Sequence, residues 1–194
     1  MSTVTYALCT NQKVKDYLGL TETDFDVVID DLIDRCTDWI ETICARRFKD
    51  EASDITEYHD GGLPNRPRTK LFLKRYPINA LTSIAYRSGD YNNPTWNTYN
   101  AASDFIRVNN SGIIQFVFPF PAGTQNIRVI YQGGYTTIPN DLEHLCIKLV
   151  AKEFQKRKSQ GVDTESIGGA SISWTQDFDP EVKRILNSYR AVSV

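Results

Sequence analysis

Residues 25–47 read FDVVIDDLIDRCTDWIETICARR. Phe25, Val28, Ile29, Leu32, Ile33, Cys36, Ile40, Ile43 and Cys44 recur at i, i+3 and i+4, which is the mark of one apolar helix face. The spacing predicts a long helix running to about Arg47. Asp26, Asp30, Asp34 and Asp38 return every four residues on another face. Thr21, with Asp24 three residues on, resembles a capping box that uses Asp in place of Glu. Upstream, Thr10 suits the cap of a short helix over residues 11–18, and Gly19 suits its left-handed end.

An apolar stripe on a helix needs a partner. One lies far down the chain, in IPNDLEHLCIKLVAKEFQKRK, where Leu142, Leu145, Cys146, Leu149, Val150 and Phe154 share a face. Asn140 or the Ile138–Pro139 step opens this helix. Lys152, Lys156, Arg157 and Lys158 crowd its end, where cations favour the helix dipole. The two helices are expected to pack together, so the chain between them must leave and return.

That intervening chain changes period near residue 53. DITEYHD, TKLFLKRYPI, LTSIAYR, TWNTY, DFIRV, GIIQFVF and NIRVIYQGGY are short runs rich in Ile, Val, Thr and aromatics, separated by Gly, Pro, Asn and Asp. They read as antiparallel strands. After the second long helix, ESIGGASISWT (165–175) alternates Ala170, Ile172 and Trp174 with Ser171 and Ser173, a strand period with one apolar face. Asp179 and Pro180 then fit the cap and first turn of a last helix, with Val182, Ile185, Leu186 and Tyr189 on one side.

The expected fold class is α+β. It has an α-helical core of two long helices plus short N-terminal and C-terminal helices, with an inserted antiparallel β domain. Its segments are 1–52 (N-terminal helical part), 53–137 (β insert), 138–160 (second long helix), 161–178 (interaction loop) and 179–194 (C-terminal helix and tail).

The 194 residues are 41% hydrophobic and 24% charged, which is globular composition and enough for a real core. The net charge of −2 gives no global basic field for nucleic acid. The charge is split, however. Residues 1–60 hold 14 acids and 6 bases, and residues 61–194 hold 10 acids and 16 bases. Such a split suits head-to-tail association. Cys9, Cys36, Cys44 and Cys146 form no CxxC pair and read as small buried hydrophobes in a reduced cytosol. A secretory leader and a membrane span are not expected.

No catalytic motif emerges. There is no GxxxxGK[ST] phosphate loop, no GxSxG elbow and no HExxH. Asp26, Asp30, Asp31, Asp34 and Asp38 would suit a divalent cation, but without histidines they read as a solvated or subunit-facing surface. His59 and His144 read as structural. The basic run NRPRTKLFLKR (65–75) would suit nucleic acid, yet strand alternation explains Phe72 and Tyr76 as well.

The stretch VKDYLGLTETDFDVVIDDLIDRCTDWIETICARRF (14–48) resembles the start of tailed-bacteriophage head–tail connector (adaptor, or head-completion) proteins. In these, a short helix ending in Leu-Gly precedes a long helix with an Arg-Arg-Phe-like end, here Arg46, Arg47 and Phe48. LFLKRYPI (71–78), IRVIYQGGYTTIPNDLEHLCIKLVAKEF (127–154) and ESIGGASISW (165–174) are similar to the family's later segments, in the same order.

The resemblance implies a structural virion protein and not an enzyme, with no cofactor. It implies a homo-oligomeric ring, usually twelve copies, below the portal protein. Such a ring extends the DNA channel, passes genomic DNA without reading its sequence, and meets a stopper or tail-completion protein. The implied place is the head–tail interface of the virion, after assembly in the host bacterial cytoplasm, away from membranes. Ile167, Ala170, Ile172, Trp174, Val182, Ile185, Leu186, Tyr189 and Arg190 would meet the portal or a neighbouring subunit. Asp26, Asp30, Asp34 and Asp38 would form an acidic subunit face. The apolar stripe at 170–174 is either a docking strand for a partner or a segment folded onto its own core. Other roles stay open: a stopper or tail-completion protein, an assembly factor, or a small ligand-binding enzyme using Tyr91, Trp96, Tyr99 and Phe118.

Overall fold

Thr10 opens the first helix as its sequence requires. The Thr10 side chain accepts from the Lys13 N–H, and Gly19 (φ 67°) closes helix α1, Asn11–Leu18. The computed structural model describes residues 6–90, 93–157, 166–167, 170–171 and 180–191.

Helix α2 spans Asp26–Cys44 and buries Ile29, Ile33, Cys36, Ile40 and Cys44. It departs from expectation at both ends. Its N-cap is Phe25, with no side-chain cap, so the Thr21–Asp24 box does not start it. A turn closed by Asp26 N–H to the Thr23 carbonyl (3.0 Å) comes first and leaves Thr21 too far upstream. The helix stops at Cys44 and not at Arg47, because Ala45 adopts a left-handed φ of 53°. That conformation costs a non-glycine residue about 1 kcal/mol. It sends the chain into β pairing, where Arg47 bridges Arg75 and Lys49 bridges Tyr135.

Helix α3, Asn140–Lys156, begins after Pro139 and buries Leu142, Leu145, Cys146, Val150 and Phe154. Helix α4, Pro180–Tyr189, starts on its proline, as that residue's fixed φ favours. The helices form one compact unit, made of the chain up to Ala45 together with Ile138–Ala191. Leu8, Val14 of α1, Ile29, Ile33 and Ile40 of α2, Leu142, Leu145, Val150 and Phe154 of α3 and Leu186 of α4 are among its buried apolar residues. All four cysteines are free and buried within it.

The second unit, Arg46–Thr137, is β. Its strands are β1 (Ile55–His59), β2 (Gly62–Leu63), β3 (Arg66–Pro67), β4 (Lys70–Phe72), β5 (Ile78–Asp90), β6 (Asn93–Thr98), β7 (Phe105–Val108), β8 (Ile113–Phe116) and β9 (Ile127–Gly133). One antiparallel sheet has the order β1-β9-β5-β6 and another β4-β8-β7. Ile127, Val129 and Tyr131 of β9 alternate inward, and with Leu71, Ile84, Phe105, Ile114 and Phe116 they build a core shared by both sheets. Each such side chain stabilises the fold by about 1.5–3 kcal/mol. The α+β class expected from the sequence is the one observed.

Two further strands, β10 (Ser166–Ile167) and β11 (Ala170–Ser171), pair antiparallel with each other, Ile167 opposite Ala170.

Candidate functional site

The acidic row of α2 is not simply a wetted face. Asp26 holds the Lys15 ammonium at 2.9 Å, and the Lys15 side chain is only 8% exposed. Asp30 is buried and accepts from the Asn11 amide at 2.9 Å. The same amide donates to the Asp26 carbonyl at 3.0 Å. Asp26 and Asp30 therefore strap α1 across the start of α2. Farther along, Asp34 is half-buried, and Asp38 is exposed and accepts from the Tyr6 hydroxyl at 3.0 Å. Among the described residues, no group of three or more His, Cys, Asp or Glu could hold a metal.

On α4, Leu186 is buried, Val182, Ile185 and Tyr189 are half-buried, and Arg190 is exposed. The Tyr189 hydroxyl donates to Asp141 at 2.7 Å, and the Ala191 N–H donates to the Cys44 carbonyl at 2.8 Å. The helix is thus docked on α2 and α3 by part of the stripe assigned to a partner. Its exposed residues include Lys183, Arg184, Asn187 and Arg190. Of the preceding stretch, Ile167 and Ala170 lie opposite one another in the β10–β11 pair. Ile172 and Trp174 lie outside the described residues.

In the β unit the aromatics proposed for a ligand pocket are dispersed. Tyr99 packs with Tyr86, Phe116 and Phe120 at the core. Trp96 lies against Tyr58 and under the Arg128 guanidinium. Phe118 is exposed, and Tyr91 lies outside the described residues.

Two clusters escaped the sequence. The buried Arg46 guanidinium donates to the Tyr76 carbonyl and lies 3.3 Å over the Tyr76 ring and 4.8 Å over Phe48. Arg46 had read only as the end of a helix. The second cluster centres on Glu57, which accepts from the Tyr131 hydroxyl and from the Lys74 N–H at 3.2 Å, and lies 3.1 Å from His59 Nε2. Burial works against the Glu57 carboxylate, but the neighbouring His59 and the Tyr131 hydroxyl outweigh it and hold its pKa below the usual value. Burial first, and then Glu57, push the Tyr131 hydroxyl up. No periodicity could have found this pair, because its members are 74 residues apart.

The arrangement is one of packing and hydrogen-bonding contacts. Its buried polar groups tie elements together, and its distinctive exposed groups are apolar knobs and charge. The model of the head completion protein family matches residues 7–192, and the chain belongs to that family. No curated protein matches it. Among solved structures, it is similar to a chain from the neck of an empty GTA particle computed with C6 symmetry. That match has a TM-score of 0.62 and 14% identity, and covers 100% of this chain and 95% of the other. It is also similar to a chain from the virion of a native gene transfer agent (GTA) particle, with TM-score 0.59, 14% identity, and 95% and 90% covered. At that identity the likeness is one of fold.

Among the described residues, no helix is long and apolar enough to cross a membrane.

Proposed function

We propose that this chain is a structural protein of the virion neck, the head–tail connector that joins the portal of a DNA-filled head to the tail. The observation that carries the reading is the family match over residues 7–192 on a fold that also builds the neck of a GTA particle. In this reading copies of the chain form a ring that extends the DNA channel. A ring of twelve is compatible with the C6 symmetry of that neck. The ring has portal on one side and a stopper or tail-completion protein on the other, and genomic DNA passes without sequence-specific contact.

The 161–178 segment and the 179–194 segment are the portal side of the proposal. Leu186 anchors α4 to its own unit, so exposed residues such as Lys183, Arg184, Asn187 and Arg190 are the ones proposed to meet a partner. Of the acidic row, the half-buried Asp34 and the exposed Asp38 are the part proposed to face a neighbouring subunit. Nothing in this role calls for catalysis or a cofactor.

Deleting the gene from the genome that carries it tests the role. The expected result is DNA-filled heads without tails. Normal yields of tailed particles would overturn it.

A further inference from the structure

The stretch FVFPFP (116–121) divides its aromatics. Phe116 and Phe120 are in the core, but Phe118 is 75% exposed and Val117 57% exposed. Leu63, on the β2–β3 hairpin, is 61% exposed. This backbone is braced. Phe116 N–H donates to the Thr69 carbonyl at 2.7 Å, and Phe120 N–H donates to the Arg68 carbonyl at 2.9 Å. Gly61 N–H and Gly123 N–H clamp the hairpin to the same loop, at 3.0 and 3.2 Å. The clamp is close enough that a Cβ on Gly61 would lie 1.9 Å from the Pro121 oxygen. Beside these apolar side chains, Arg66, Arg68 and Lys70 are exposed and form no ion pair among the described residues.

The helical unit carries a complementary feature. A groove of about 280 Å³ runs between α2 and α3, lined by Leu32, Arg35, Cys36, Trp39, Leu149 and Glu153. A cavity of about 150 Å³ already holds a benzene ring. One helical row away stand Asp31, which is ion-paired to Arg35 at 2.8 Å, Asp34, and Asp38, which accepts from the Tyr6 hydroxyl. The charges of the two units are opposite. The segments up to Ala45 and from Ile138 to Ala191 hold 17 acids and 11 bases, and Arg46–Thr137 holds 7 acids and 11 bases.

We propose that the Phe118 loop of one copy docks in the α2–α3 groove of a second copy, with Arg66, Arg68 and Lys70 against its Asp31, Asp34 and Asp38. Nucleic acid would use the cations but leave Leu63, Val117 and Phe118 without a partner, whereas a second copy satisfies both. The contact joins two different patches, so it propagates from copy to copy as a ring requires. It deepens the ring reading above and rests on it.

The test mixes ¹⁴N- and ¹⁵N-labelled full-length chains at high concentration. Sedimentation reads association, and carbodiimide cross-linking reads contacts. Mixed-isotope peptides joining Lys70 to Asp34 or Asp38 are expected. Phe118→Ser and Arg68→Glu, both at exposed positions, are expected to weaken association at least tenfold while circular dichroism stays unchanged. Asp38→Arg added to Arg68→Glu is expected to restore it. If the wild-type chain associates and the variants change nothing, the ring stands and this contact falls. If the wild-type chain stays monomeric throughout, both fall. Cross-links confined to one isotope, or loss of duplex-DNA retention with association intact, also overturn the contact.

Discussion

Glu57 and Tyr131 meet across the β1–β9 pair, the tyrosine hydroxyl donating a hydrogen bond to the carboxylate. Tyr131 is fully buried, and its hydroxyl also accepts from the Arg75 N–H at 3.1 Å. One side chain therefore ties β1 and the segment before β5 to the centre of the sheet. Tyr131→Phe keeps the packing and removes both bonds, which predicts a loss of about 1–3 kcal/mol in urea unfolding. An unchanged midpoint would show that the network contributes nothing.

The same pair sets an acid limit. Glu57 has a folded-state pKa held below its unfolded value of about 4.3. Its contribution is therefore present above that value and lost as pH falls through the lowered one. Stability measured from pH 5 down to pH 2 is expected to drop, and Glu57→Gln is expected to flatten that slope. A Gln variant with the same acid slope would assign the loss to other carboxylates.

Asp26 is predicted to matter more to the fold than Asp38. Asp26→Ala strands the Lys15 ammonium, which is 8% exposed. With the carboxylate itself 36% exposed, the cost is about 1–2 kcal/mol. Asp38→Ala is expected within about 0.5 kcal/mol. Equal values by chemical denaturation would contradict the strap.

The thiols are predicted to be silent. Burial, helped by Cys146 and Glu153, pushes Cys36 up to about 12, and a hydrogen bond from Cys9 together with burial raises Cys146. Titration with a thiol-reactive dye at neutral pH is expected to find no reactive cysteine in the native protein and all four of its cysteines after unfolding. Rapid labelling of native protein would place at least one thiol outside the core.

Much of this fold was legible because its helices are periodic. Thr10, Gly19, the stripe on α2 and Pro180 all behave as local rules demand. Apart from the Thr21–Asp24 box, displaced by the turn at Thr23–Asp26, what failed was non-local. Ala45 ends α2 because Arg47 and Lys49 are drawn into pairing with Arg75 and Tyr135. Asp26 and Asp30 read as a solvated or subunit-facing surface because nothing in the periodicity of α2 shows where α1 lies. The Glu57–Tyr131 pair needs the strand order β1-β9-β5-β6, which alternation alone does not give. Phe118 read as one aromatic among many, because its exposure depends on a loop whose neighbours Phe116 and Phe120 turn inward.

In the proposed role the chain is a built-in part of the neck. Electron cryo-microscopy of finished particles from the genome that carries it tests this most directly. Density matching this α+β fold is expected in a ring of copies between portal and tail and around the DNA channel. Tailed particles whose neck lacks such a ring, with the chain absent from purified virions, would contradict it.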